Sequence, residues 1–365
     1  MPQSCHLEAG APNEPLPIYG GWRRRTGGVA MGNQLQHYVP RFLLRQFGNG
    51  KKDHVQVMDK QSGRMFSFSA SKKAMISVAA EYGMYDFEFM GEPVSIEPDL
   101  AALESKAAKY IARISRDAKF DLSDPTERGT LACFVAVQMI RTRAVMETQS
   151  DVMARMKAWL GVEGTPEGFF DPDPHVGAGE NADKAFLARL ICSAPKDFGP
   201  SLLEKDWVLL QTDRKHPFLM GDHPVAMFND VDRGLRGNLG IQVPGIQIYI
   251  PLSPTLALGL WCPTLQQELL GFVQRLHALS ETKPHVAAQH AAAWEEAIEI
   301  AEAIRAGTPL SYRPENVEHF NSLQVVHAER FIFSSTADFS LVESMVAQDS
   351  TLRRGRRMME ATGKF

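Results

Sequence analysis

A strong charge of either sign is missing from this chain. Its 365 residues carry 39 lysines and arginines against 43 aspartates and glutamates, a formal net charge of -4. That balance excludes a protein that coats nucleic acid by bulk charge, and leaves room only for a local basic groove. Cysteine is scarce. Cys5, Cys133, Cys192 and Cys262 show neither metal-ligand nor redox spacing. Three of them sit in apolar runs ("LACFVAV", "RLICSAP", "GLWCPT"), which predicts buried free thiols in a reducing, cytoplasmic compartment. No stretch reaches the roughly 18 uninterrupted apolar residues of a membrane helix. The "RRR" at 23–25 has no apolar core behind it, so it is not an export signal. A glycine-rich phosphate loop, a GxSxG elbow and an HExxH pair are also absent. His285 and His290 are five apart, a poor spacing for joint metal ligation on one helix face.

What is present is the composition of a globular protein, 44% hydrophobic and 22% charged. Residues 1–30 are rich in Pro and Gly without hydrophobic periodicity, and read as a disordered extension or an overcalled start before Met31. Pro40 suits the first turn of a short helix, "RFLLRQF". "HVQVMD" and "RMFSFS" alternate around a polar turn and predict a β-hairpin. "VAAEYGMYDFEF" reads as an irregular aromatic segment, and Pro93 and Pro98 flank an extended piece. Three helices are then expected: Asp99 to about Asp117; from a Ser123 or Asp124 cap to about Leu160, in one or two pieces; and about Ala182 to Ser193. Between the last two, residues 161–181 are a Pro- and Gly-rich loop. From Asp206 short strands take over ("WVLLQT", "PFLMG", "VAMFN", "IQIYIPLS", "LALGLW"). Helices return after Pro263, the longest at about 285–306. A helix over "RPENVEHFNSLQVVHA", a strand "RFIFSS" and a last helix "DFSLVESMVAQ" follow. The pattern predicts an α+β fold, with mixed helices packed on a largely antiparallel sheet built from separated segments.

Six segments in order also carry a resemblance: "QHYVPRFLLRQF", "SIEPDLAALESKAAKYIARI", "LACFVAVQMIRTRA", "WVLLQTDRKHPFLMGDHPVAMF", "IYIPLSPTLALGL" and "HFNSLQVVHAERFIFSS". Together they span about residues 34–337, and the chain resembles the domain-of-unknown-function 4238 family, found mainly in bacteria. The resemblance implies a single family domain over 31–340, followed by a C-terminal helix and basic tail over 341–365. Stretches 161–181 and 285–306 fall outside the family pattern and read as elaborations. Members usually carry Ser-Asp-Asn-Pro where this chain has "GDHP", so Asp222 and Pro224 match while Gly221 and His223 depart. The family brings no established activity.

Several polar residues fall on otherwise apolar faces. Glu104 lies within the stripe Leu100, Leu103, Ala107, Tyr110, Ile111 and Ile114, with Glu97 pointing the same way if the helix extends back that far. A carboxylate there needs a partner or a shifted pKa. Gln138 interrupts the apolar face Leu131, Phe134, Val135, Thr142 and Val145, and Arg141 is one turn on; Arg143 is expected to face solvent. Asp222 sits in a tight turn between strands, where it is either a presented carboxylate or a turn former. Asn321 is a further polar residue on an apolar helix face. Arg41 and Arg45 share a face of the first short helix, beside His37, a combination suited to a phosphate or carboxylate.

Two readings follow. In the first, the protein is a nuclease-like hydrolase of a phosphodiester or nucleotide. Glu104, Asp222 and His37 are its catalytic candidates, with Arg41, Arg45, Gln138, Arg141 and Asn321 as substrate-binding candidates. A divalent metal between Glu104 and Asp222 fits this reading. In the second, the same residues form a closed internal network in a non-enzymatic binding or regulatory protein. A cleft distinguishes the first; mutual pairing and burial distinguish the second.

Overall fold

The computed structural model describes residues 32, 34–49, 54–69, 78–121, 124–231 without 161–172, and 238–355; of 153–160 it describes the helical backbone alone. The proposed N-terminal extension, most of the 161–181 loop and the end of the basic tail lie outside these residues.

The chain opens with β1 (Leu35–His37) and α1 (Arg41–Gln46), then the hairpin β2 (His54–Asp59) and β3 (Arg64–Ser69). The aromatic segment forms β4 (Ala80–Tyr82) and β5 (Asp86–Phe89), followed by β6 (Glu92–Ser95). Four helices come next: α2 (Glu97–Asp117), α3 (Pro125–Ile140), α4 (Arg143–Leu160) and α5 (Glu180–Leu203). Strands β7 (Asp206–Gln211), β8 (Met220–Gly221), β9 (Ala226–Phe228), β10 (Gln247–Ser253) and β11 (Leu256–Trp261) precede α6 (Pro263–Thr282), α7 (Pro284–Gln289) and α8 (Ala291–Ala306). The chain then runs through β12 (Pro309–Ser311), α9 (Pro314–His327), β13 (Phe331–Ser334) and α10 (Ser340–Gln348).

The fold is α+β, and its sheets are mostly antiparallel. One sheet has the order β12-β7-β11-β10-β9, with β12–β7 its parallel pair. A second, β3-β2-β13-β8, joins strands from near both ends of the described chain. Both faces of the five-stranded sheet are covered, so its strands read as nearly continuous apolar runs. Trp207, Leu209, Leu258 and Ile250 face the main core with α2, α3 and α5. Val208, Leu210, Ala257 and Tyr249 pack on the other side against Ala303, Val317 and Phe320 from α8 and α9.

Several expectations shift. Helix α2 begins at Glu97, two residues before the expected start, because Pro98 fits its first turn, where no N–H is needed. That places Glu97 on the helix with Glu104. The Asp124 cap forms, its carboxylate accepting from Thr126 N at 2.8 Å, and the second helical stretch breaks at Arg141–Thr142. Helix α5 runs through Pro195 and Pro200 to Leu203; burial of Leu187, Ile191, Ala194 and Leu202 against the core outweighs the lost backbone bonds. The aromatic segment is strand rather than irregular, β4 pairing with β1 and β5 with β6. Cys133 is disulfide-bonded, against its reading as a free thiol, while Cys192 and Cys262 are free. Among the described residues no helix is long and apolar enough to cross a membrane.

Candidate functional site

The sequence candidates divide into two polar groups on the β1 side of the core. The first surrounds Arg141, at the C-terminal end of α3 and only 2% exposed. Its Nη1 pairs with Glu104 Oε1 at 2.5 Å, its Nη2 donates to the His37 carbonyl, and the guanidinium lies 5.5 Å from the Tyr85 ring centre. The Tyr85 hydroxyl donates back to the Arg141 carbonyl at 2.8 Å. One turn earlier, Gln138 Nε2 donates to the Tyr38 carbonyl at 2.9 Å. Two side chains of α3 therefore grip successive carbonyls where β1 ends, which sets the register between helix and strand.

Among the described residues, three buried polar atoms of this group have no hydrogen-bond partner: His37 Nε2, Glu97 Oε2 and Gln138 Oε1. Burial, with Arg41 and Arg141 nearby, lowers the His37 imidazole to about 4. Burial raises the Glu97 carboxyl to about 7, Glu104 and Asp86 adding to the shift and Arg141 opposing it. Both are electrically neutral over much of the range below pH 7. Arg41 is half-buried beside His37, and Arg45 is exposed in the last turn of α1.

Asp222 follows the two-residue strand β8 and is 1% exposed. Its carboxylate accepts from the backbone N–H groups of Glu329 (2.7 Å), Arg330 (3.0 Å) and Phe331 (3.1 Å). Burial raises its carboxyl to about 6 in spite of these bonds and the charge on Lys60. Lys60 Nζ donates to the carbonyls of Val325 and Ala328, both at 2.7 Å, at the end of α9. Asn321 accepts from Leu219 N at 2.7 Å and donates to Pro217 O at 3.0 Å. Gln324 does the same for Gly221 N and Pro224 O. These amides lace α9 to the segment carrying Asp222, so Asn321 and Asp222 hold backbone in place. His223 Nδ1 meets Thr142 Oγ1 at 2.6 Å, and burial beside His327 lowers it to about 3. Glu104 is engaged by Arg141 and Asp222 by backbone. Among the described residues no group of three or more His, Cys, Asp and Glu is placed to hold a metal ion.

Asp222 thereby presents the 329–331 corner to a cleft of about 250 Å³, lined by Tyr38, Glu81, Arg143, Glu147, Glu329 and Arg330 among others. Arg143, two residues beyond the buried Arg141, is exposed as expected and stands on this wall, with Nη1 on Glu81 at 2.7 Å and Nε on Glu147 at 3.2 Å. Arg330 is held by Asp59 through Nε (3.1 Å) and Nη2 (2.8 Å). The two guanidinium groups lie within each other's field, and both act on the Tyr38 hydroxyl. Burial pushes that hydroxyl up, with Asp222 and Glu81 adding to the effect, so it stays a donor at neutral pH. Among the described residues Arg143 Nη2, Arg330 Nη1 and the Tyr38 hydroxyl make no hydrogen bond to protein, though the Arg330 guanidinium also lies over the Phe331 ring.

The matching elements now stand in order: the β1–α1 start, α2, the α3 end, the β8 turn, β10–β11, and α9 into β13. A family model described as "Protein of unknown function (DUF4238)" matches residues 35–338. The chain belongs to the DUF4238 family. No curated protein and no solved structure matches it. In this DUF4238 chain, sequence reasoning placed His37, Arg41, Glu104, Gln138, Arg141 and Asp222 around one pocket; the structure gathers Arg141, Glu104 and Gln138 at the His37 and Tyr38 carbonyls and sets Asp222 apart on the 329–331 backbone. Sequence reasoning passed over Tyr38 and Arg330. The available signals were Tyr38 inside "HYVP" and a lone arginine directly before an apolar strand.

Proposed function

We propose that this protein binds a monoanionic phosphate, as in a phosphodiester or nucleotide, in the cleft between Tyr38, Arg143 and Arg330. The observation that carries this reading is the set of spare donors. Two like-charged guanidinium groups face one cleft, each fixed by its own carboxylates and each with a nitrogen left over. Neighbouring guanidinium groups repel, an anion between them relieves that repulsion, and a fixed fork loses little entropy when it binds one. Glu81, Glu147 and Glu329 offset Arg143, Arg330 and Arg354 on the lining. The lining thus has no formal net charge, which suits one negative charge better than two. Nucleic acid enters this reading through a single backbone phosphate.

Calorimetric titration with a dinucleotide tests it. R143Q and R330Q should each weaken binding about tenfold, the effect of losing one charged hydrogen bond. Parent-like affinity in both variants, with folding verified by circular dichroism, would refute the cleft as the site.

Hydrolysis of a diester is a second reading, favoured by the unbonded Glu97 and His37 atoms of the Arg141 group, which meets the cleft at Tyr38, the residue after His37. A carboxyl at about 7 exchanges protons at neutral pH. Turnover of an activated aryl phosphodiester by the parent, and its loss in E97Q, is the expected result; no turnover by the parent at any pH leaves the protein a binder only.

A further inference from the structure

A second hollow, of about 160 Å³, adjoins the cleft and shares Glu81 and Glu147 with it as a common wall. Its other lining differs in kind: Tyr82, Met84, Met146, Ser150, Glu180, Asp183 and Lys184. Lys184 is taken by Glu180 at 2.8 Å, and Glu81 and Glu147 are taken by Arg143. The half-buried carboxylate of Asp183 is different, having no partner among the described residues. Tyr82 is 66% exposed, a large aromatic left on the surface beside it. The two hollows are therefore opposite in what they lack. The first holds donor atoms left over after its arginines are paired, and the second an acceptor left over beside an aromatic ring. Cavities of about 250 and 160 Å³ together reach the lower end of the range typical of small-molecule sites, about 300–1,000 Å³.

We infer that the cleft's ligand is a phosphodiester bearing an ammonium group, its phosphate on Tyr38, Arg143 and Arg330 and its ammonium in the adjoining hollow against Asp183. This rests on the anion-binding reading above and adds the chemistry of the ligand's other end. A carboxylate attracts an ammonium by charge, and an exposed tyrosine face adds a cation–π contact. Helix α5 begins at Glu180, so Asp183 also lies in its first turn and favours the helix dipole. That role accounts for an acid at this position; it does not account for the hollow lined by Met84 and Met146 or for the spare arginine donors behind the shared wall.

Matched probes separate the two levels. The full-length protein is titrated with methyl alkyl phosphodiesters of two, three and four carbons, each with and without a terminal amine. The expected result is that at least one amine-bearing diester binds about three- to fivefold more tightly than its amine-free partner, the scale of a partly exposed ion pair. D183N, checked for a parent-like melting temperature, should bring that ratio to one. Equal binding of both members of every pair overturns this inference and leaves the anion site standing. No binding of either member by the parent overturns both. A ratio that persists in D183N overturns the assignment to Asp183. An aminoalkyl phosphodiester is also a lipid headgroup, so the soluble diester is run against vesicles carrying that headgroup. Capture by vesicles that the soluble diester displaces identifies a lipid source, and binding of the soluble diester alone identifies a free ester.

Discussion

Replacing Glu97 by glutamine should make this protein more stable at neutral pH, by an amount the surroundings of the side chain determine. Glu97 is in the first turn of α2, where the helix dipole favours an ionised carboxylate by about 0.3–1 kcal/mol. Burial opposes this and wins. Oε2 is out of solvent without a donor among the described residues, and Arg141, the cation that acts on it, is already paired with Glu104 at 2.5 Å. The carboxyl is raised from an ordinary 4.5 to about 7, and a gap of that size corresponds to about 3 kcal/mol. Because the folded-state value is the higher one, the group's contribution is fully present below pH 4.5 and is lost as pH rises through about 7. The parent therefore loses about 3 kcal/mol from this residue across that window, and E97Q does not. Urea unfolding of both proteins at intervals from pH 4.5 to 8 measures the difference. Asp222, raised to about 6, slopes the same way. His37, lowered to about 4, slopes oppositely, its contribution being lost as pH falls. Both are present in parent and variant, so subtraction removes them. Stability curves for parent and E97Q that run parallel over the whole window would sink the reasoning.

Other outcomes follow from the same contacts. D222A removes the acceptor for three backbone N–H groups at 329–331. It should cost about 3 kcal/mol and speed amide exchange at Phe331; a change below about 0.5 kcal/mol would show the turn to be held by other means. N321A strips partners from the Leu219 N–H and the Pro217 carbonyl. The expected loss is about 2 kcal/mol in chemical denaturation, with diester affinity retained; weakened binding at parent-like stability would return Asn321 to the binding site. R143Q and R330Q should each lower diester affinity about tenfold. A salt titration of the parent should show a shallow slope, because the ligand carries one charge into a lining with none.

Wherever structure follows from neighbours in the chain, the sequence was sufficient. The stripe Leu100, Leu103, Ala107, Ile111 and Ile114 is buried as its helical spacing requires. Asp124 caps its helix through a residue two positions on, and the β2–β3 hairpin forms in full register around its polar turn. The α+β class follows from the order of such local signals. Choices between distant partners were not written in any window. Arg141 and Arg143 are two residues apart and chemically identical, yet one is 2% and the other 44% exposed at the side chain, because the helix breaks between them. Asp222 could present a carboxylate or close a turn; what decided it were backbone N–H groups more than a hundred residues further on. Helix α5 continues through two prolines because the core it covers compensates for the lost bonds. Local patterns encode periodicity, capping and turns, whose partners are a few residues away. Burial and the partner of a charged group depend on which remote segments come to lie beside it, and the tertiary structure alone sets that.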